Sequence, residues 1–247
     1  MFAILIKIKA MRVLRITFFL FINAFYANAQ YDFEKYPSIE YKDYDWETVK
    51  SDDGVTHKVI VPDFYINSES LILKINYYTE EAKDSEIYIS GIKYKEDIPY
   101  TPIGLSSLRI ADVNGDGLKD IKIISYYMGN GLASLNVKVI YFFQQANGGF
   151  IKIAYEDKMG DNRLERDFDG DGNFEIITMK IQGHKNHNYW LFNIYNFVNG
   201  KIENVNSKEN YPIMVQILNR ETFKITSKLS RQEMKQYQVN NLENYNN

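Results

Sequence analysis

The chain has 247 residues, 45% of them apolar and 15% aromatic, with 29 basic and 32 acidic side chains for a formal net charge of −3, and no cysteine. That supplies enough apolar material for a packed core. The lack of cysteine excludes a disulfide framework, thiol chemistry and a lipid-modified cysteine, while the acidic surplus, with no basic stripe, argues against a nucleic-acid partner.

Residues 1–29 read as a secretory signal peptide. Lys7, Lys9, Arg12 and Arg15 form a basic region, Ile16 to Phe25 is an almost unbroken apolar run, and Ala27-Asn28-Ala29 is a small-x-small cleavage signature. An apolar run of about ten residues is too short for a membrane span of about 20. Met11 opens a complete signal by itself. Removing residues 1–29 from 247 leaves 218, and takes away four basic and no acidic residues, so 25 basic face 32 acidic for a net charge of −7. The expected product is secreted or periplasmic, not lipid-anchored, with no membrane span after cleavage.

Residues 30–56 are acidic and rich in Tyr, as in YDFEKYPSIEYKDYDWETVKSDDGVT, and are expected to lie as an extended N-terminal segment along a sheet, with Ser51 to Gly54 as a turn. A single β domain, residues 57–247, follows. Its first three predicted strands are HKVIVPDFYI, SLILKINYY and SEIYISGIKY, with Pro62 restricting the first to an edge or a bulge. Their mixed alternation suits an antiparallel sheet with one solvated face.

The next feature occurs twice: DVNGDGLKD, Asp112 to Asp120, and DFDGDGNFE, Asp167 to Glu175. Oxygen-bearing side chains recur at positions 1, 3, 5 and 9, which are Asp112, Asn114, Asp116 and Asp120, then Asp167, Asp169, Asp171 and Glu175. A hard cation such as Ca2+ takes six to eight oxygens. A loop that turns at position 6 presents alternate side chains to one centre, together with the position-7 carbonyl, here of Leu118 and of Asn173. Gly117 and Gly172 stand at that sixth position, where positive φ is needed. These ten residues are the predicted ligands of two Ca2+ ions, and four carboxylates against three predict that the second loop holds its ion more tightly. Position 12, where a helix-borne acid closes an EF-hand, is Ile123 or Thr178, and the residues that follow are β-branched, so each loop is expected to lead into a strand.

Similarity extends beyond the loops. VIYFFQQANGG and LFNIYNFVNGK are apolar aromatic runs ending in Asn-Gly, a strong hairpin signal, and each precedes a short strand, FIKIAY or KIENV. Each unit, about 108–155 and 164–205, therefore reads as loop, strand, excursion, strand, tight turn, strand, with SLRIA and RLER as the strands entering the loops. YYMGNGLASLN and KIQGHKNHNYW are the two excursions, where a partner surface is expected. His184 and His187, in the second, do not make a zinc site. The loops resemble those of FG-GAP or VCBS repeats, and this resemblance implies a calcium loop within a β-propeller blade. A spacing near 50 residues falls in the range of propeller-type repeats.

Two more strands, YPIMVQIL and TFKIT, are predicted before a short helix that starts with the capping box Ser230 to Glu233. The expected fold is all-β, with antiparallel blade-like sheets in a small or incomplete β-propeller and a short C-terminal helix. No G-x-S-x-G, H-E-x-x-H or phosphate-binding loop is present. The leading expectation is a non-catalytic, calcium-stabilised module that binds another protein or a cell-envelope glycan. The resemblance also allows a periplasmic inhibitor or immunity protein directed at a peptidoglycan hydrolase, and the many carboxylates leave a carbohydrate-active hydrolase as a third alternative.

Overall fold

A computed structural model describes residues 31–78, 85–98, 104–160, 163–217 and 229–242. The signal-peptide assignment and the predicted strand TFKIT lie outside these residues. The chain forms two compact units, 1–36 and 37–247. In the first, Asp32–Lys35 make a 3-10 turn. The second holds the strands β1 (Lys42–Tyr44), β2 (Glu47–Ser51), β3 (Gly54–Val61), β4 (Leu71–Tyr78), β5 (Glu86–Ile89), β6 (Ile92–Lys95), β7 (Leu108–Ala111), β8 (Asp120–Tyr126), β9 (Asn136–Gln144), β10 (Phe150–Lys158), β11 (Ile176–His184), β12 (His187–Val198), β13 (Lys201–Asn204) and β14 (Ile213–Gln216), and the helix α1 (Arg231–Met234).

Three antiparallel sheets result, ordered β2-β3-β4-β5-β6, β1-β7-β8-β9-β10 and β11-β12-β13, with β14 paired to β12. None closes on itself among the described residues. In the first sheet β4 alternates strictly: Leu71, Leu73 and Ile75 are buried, whereas Ile72 and Lys74 face solvent. Full burial of each such aliphatic side chain contributes about 1.5–3 kcal/mol. The inner face packs on Leu108, Ile110, Ile121, Ile123, Ile140 and Phe142 of the second sheet. The opposite face of that second sheet, through Ile124, Val139, Tyr141, Phe143, Ile153 and Tyr155, packs on Ile176 and Tyr195 of the third. The middle sheet is thus covered on both sides, so Ile121 to Ile124 and Val137 to Gln144 are buried without alternation.

Several elements differ from the sequence expectation. β3 is flanked by β2 and β4 and stops just before Pro62, which therefore ends an internal strand instead of bulging it. The stretch from Ser85 to Tyr94 is a hairpin turning at Ser90-Gly91, both with positive φ. KIQGHKNHNYW is no excursion: β11 and β12 stay paired as far as His184↔His187, and Lys185-Asn186, both with positive φ, make the two-residue turn. Asn199-Gly200 turns β12 tightly into β13. Asn147-Gly148 instead sits in a five-residue loop, in which the Gln145 N–H donates to Gly149 O and the Gly148 N–H to Gln145 O, both at 2.8 Å, and the Asn147 side-chain oxygen accepts the Gly149 N–H at 2.9 Å. RLER forms two isolated bridges at Arg166, with Ser38 and with Glu175, in place of a strand, and Arg163 and Glu165 are buried.

Residues 37–44 run along both repeats. Pro37 O accepts the Asp167 N–H at 3.0 Å, Ile39 N–H donates to Glu165 O at 3.1 Å, Ser38 bridges Arg166, and β1 then pairs with β7. Beneath this strap lies a buried ion pair. Lys122 Nζ is 2.5 Å from Glu165 Oε1, both side chains 2% exposed; Tyr41 Oη donates to Glu165 Oε2 at 2.8 Å, and Tyr141 Oη donates to Oε1. Burial pushes the Glu165 carboxyl up, but the Lys122 charge and these hydrogen bonds outweigh it and hold the group below its ordinary value. Losing one partner strands a buried charge. Lys122→Ala is therefore expected to destabilise the fold by about 3–5 kcal/mol, read from urea denaturation, and a loss of under about 1 kcal/mol would contradict this account.

Candidate metal centre

Each nine-residue loop leads into a strand, the first into β8, inside its sheet, and the second into β11, at the edge of its own. Gly117 and Gly172 have φ of 83° and 85°. At both loops the position-nine acid turns inward: Asp120 is 0% and Glu175 1% exposed. Each closes its loop the same way, by accepting the N–H of position two. Val113 N–H donates to Asp120 Oδ2 at 2.9 Å, and Phe168 N–H to Glu175 Oε2 at 3.0 Å.

In the first loop every carboxylate oxygen receives a donor. Asp112 Oδ1 and Oδ2 accept from the N–H groups of Asp116 (3.1 Å) and Gly117 (2.8 Å). Asp116 Oδ1 accepts from Leu118 N–H and Oδ2 from Asn114 Nδ2. Asp120 Oδ1 accepts the Gln144 N–H at 2.9 Å. Position eight is held from the neighbouring strand, as Lys119 N–H donates to Gln144 Oε1 at 3.2 Å.

The second loop is arranged otherwise. Carboxylate oxygens of Asp167, Asp169 and Glu175 lie within 4.8 Å of one another, the one such cluster of acidic or imidazole side chains among the described residues. Asp167 accepts from Gly170 N–H at 2.7 Å and Gly172 N–H at 3.2 Å. Asp169 Oδ2 has Lys208 Nζ at 3.8 Å. Asp171, expected in the cluster, instead takes the Asn173 N–H on Oδ1 at 2.8 Å and stays outside the convergent group. Burial raises the Glu175 pKa above its ordinary value against the Phe168 N–H and the Asn196 side chain, and the Asp169 charge raises it further. An all-oxygen, acidic cluster of this kind suits a hard divalent cation, which would neutralise the repulsion that the fold imposes.

The loops also meet. Phe174 N–H donates across to Val113 O at 2.9 Å. A Cβ on Gly115, φ 71°, would stand 2.7 Å from Gly172 O. Only glycine fits there.

Asn196, on β12, was not distinguishable in the sequence. It is 3% exposed, its side chain hydrogen-bonds Glu175, and its Oδ1 has no hydrogen-bond partner; the buried Oδ1 of Asn173 has none either. The histidines do not converge: His184 Nδ1 is 2.7 Å from Tyr237 Oη and His187 Nδ1 is 3.3 Å from Gln216 Nε2.

Gly115→Ala is expected to destabilise the protein by more than 1 kcal/mol, since the new methyl meets a backbone oxygen that cannot swing aside and positive φ penalises any Cβ; an unchanged melting temperature would contradict the contact. Burial pushes the Asp120 carboxyl up to about 7; two backbone N–H groups oppose the shift, and the charges of Asp116 and Asp112 add to it. Its unfolded value is about 3.9. Because the folded value is the higher one, this contribution to stability is complete below about pH 4 and is lost as pH rises through about 7. In chelator, Asp120 is expected to titrate near neutrality by carbon-detected NMR, with a midpoint below about 5 ruling the assignment out.

No family model matches the chain, and no curated protein or solved structure is significantly similar to it.

Proposed function

We propose that the chain is a non-catalytic, calcium-stabilised β module, exported behind the 1–29 signal and built to bind another macromolecule. The convergence of Asp167, Asp169 and Glu175 within 4.8 Å carries this reading. Loop two is the tighter site and loop one a second, weaker one, because the oxygens of Asp112, Asp116 and Asp120 are already committed to donors. The face-to-face sheets, two of them opened by the same loop, are read as blades of an incomplete propeller.

A partner surface is supported by a groove of about 800 Å³ bordered by Tyr65, Ile66, Ile72, Ile92, Leu118 and Phe150. Ile66 is 84% and Ile92 57% exposed. Exposed aliphatic side chains gathered around one groove mark a contact surface. Leu118 is also position seven of loop one, so the ion-binding and partner-binding surfaces adjoin. A second exposed apolar pair, Met128 and Leu132, sits on the excursion after β8.

Calcium at 100 times its Kd is expected to stabilise the protein by about 2.7 kcal/mol relative to chelator, read as a shift in melting temperature. Asp169→Ala, which removes a triad member that is not buried, is expected to abolish most of that shift while leaving the chelated protein's stability unchanged. An equal shift in wild type and variant, or none in wild type, would overturn the site.

A further inference from the structure

The second loop has a defect that the first lacks. In loop one the carboxamide offered by the neighbouring strand, Gln144, is satisfied by the position-eight N–H of Lys119. In loop two the position-eight N–H, that of Phe174, has turned away to Val113 O of the other loop. Asn196 of β12 stands opposite Glu175 and has a buried acceptor with no donor, while its side chain hydrogen-bonds Glu175 of the acidic triad. A buried polar atom without a partner carries the full desolvation penalty of that group, which a cation bound to that oxygen would remove.

We propose that Asn196 contributes an uncharged oxygen to the cation of loop two, so that the site is assembled from the nine-residue loop and the neighbouring strand together. The inference rests on the cation reading above and adds to it a ligand that the loop pattern does not contain. Oxygen is the right donor for calcium, and a neutral one adds to the coordination number without adding repulsion among Asp167, Asp169 and Glu175.

Calorimetric calcium titration of the full chain tests this, with the tighter phase assigned by its loss in Asp169→Ala. Asn196→Ala is expected to weaken that phase about 10- to 100-fold. Asn196→Asp, which keeps an oxygen in place, is expected to match or exceed wild type, and to show a larger calcium-induced rise in melting temperature because the ion relieves the added repulsion with Glu175. A merely structural role predicts the reverse, since aspartate cannot donate to the Glu175 carboxylate and would lose affinity as alanine does. Unchanged affinity in Asn196→Ala, or equal losses in both variants, overturns the proposal while leaving calcium binding intact. Should the alanine variant not fold, the aspartate variant decides alone. No calcium binding by wild type would overturn the underlying reading instead.

Discussion

The position-nine carboxylate, turned into the protein and fixed by the N–H of position two, is the constraint from which the rest of the site follows. Asp120 and Glu175 are almost wholly removed from water, and burying a carboxylate is tolerated only where donors or cations compensate. Loop one offsets part of that cost with backbone donors from Val113 and Gln144, although burial still raises the Asp120 carboxyl. Loop two has one backbone donor on Glu175 and brings two more carboxylates close to it. The same nine-residue pattern thus yields two electrostatic situations, one largely satisfied by hydrogen bonds and one that an oxygen-seeking cation would complete.

Rigidity around the loops comes from layers and from charges placed between them. The middle sheet is buried on both faces, which leaves its strands no freedom to slip in register. Lys122 and Glu165 join the two repeats beneath the strap. Glu96 lies 2.6 Å from Lys138 and 2.8 Å from Lys152, tying the end of β6 to β9 and β10. Arg163, paired with Asp157, donates to Ile177 O at 2.8 Å and so joins β10 to β11. Such pairs do little for net stability compared with apolar packing of the same volume, but each punishes misassembly because a wrong partner strands a charge.

The sequence disclosed local chemistry better than long-range geometry. The loops, the strands that leave them, the alternation in β4 and the capping box, in which Ser230 Oγ accepts the Glu233 N–H, rest on residues close together in the chain and were legible. The unalternating burial of β9 was visible only as an aromatic run, since nothing in VIYFFQQ says that a second sheet will cover its other face. RLER misled because its backbone is shared between single bridges at Arg166, to Ser38 on one side and Glu175 on the other, which spacing within the segment does not disclose. Asp171 misled because loop spacing cannot say whether a carboxylate faces the centre or its own backbone. Asn196 carried no signal, being one polar residue in an apolar strand that meets Glu175 only across the ladder.

The strap at residues 37–44 has a consequence for how the molecule is made. Its partners are β7 and the segment 165–167, and the Tyr41–Glu165 bond closes a separation of 124 residues. The start of the domain is therefore among the last parts to find its place. Residues 37–44 must wait in solvent until both repeats exist, so assembly cannot proceed from the N-terminus onward, and this distant closure slows folding. The sheet β2–β6, whose strands pair only with their neighbours in sequence, can form before that closure, whereas the strap cannot be locked in place until residues 165–167 are there.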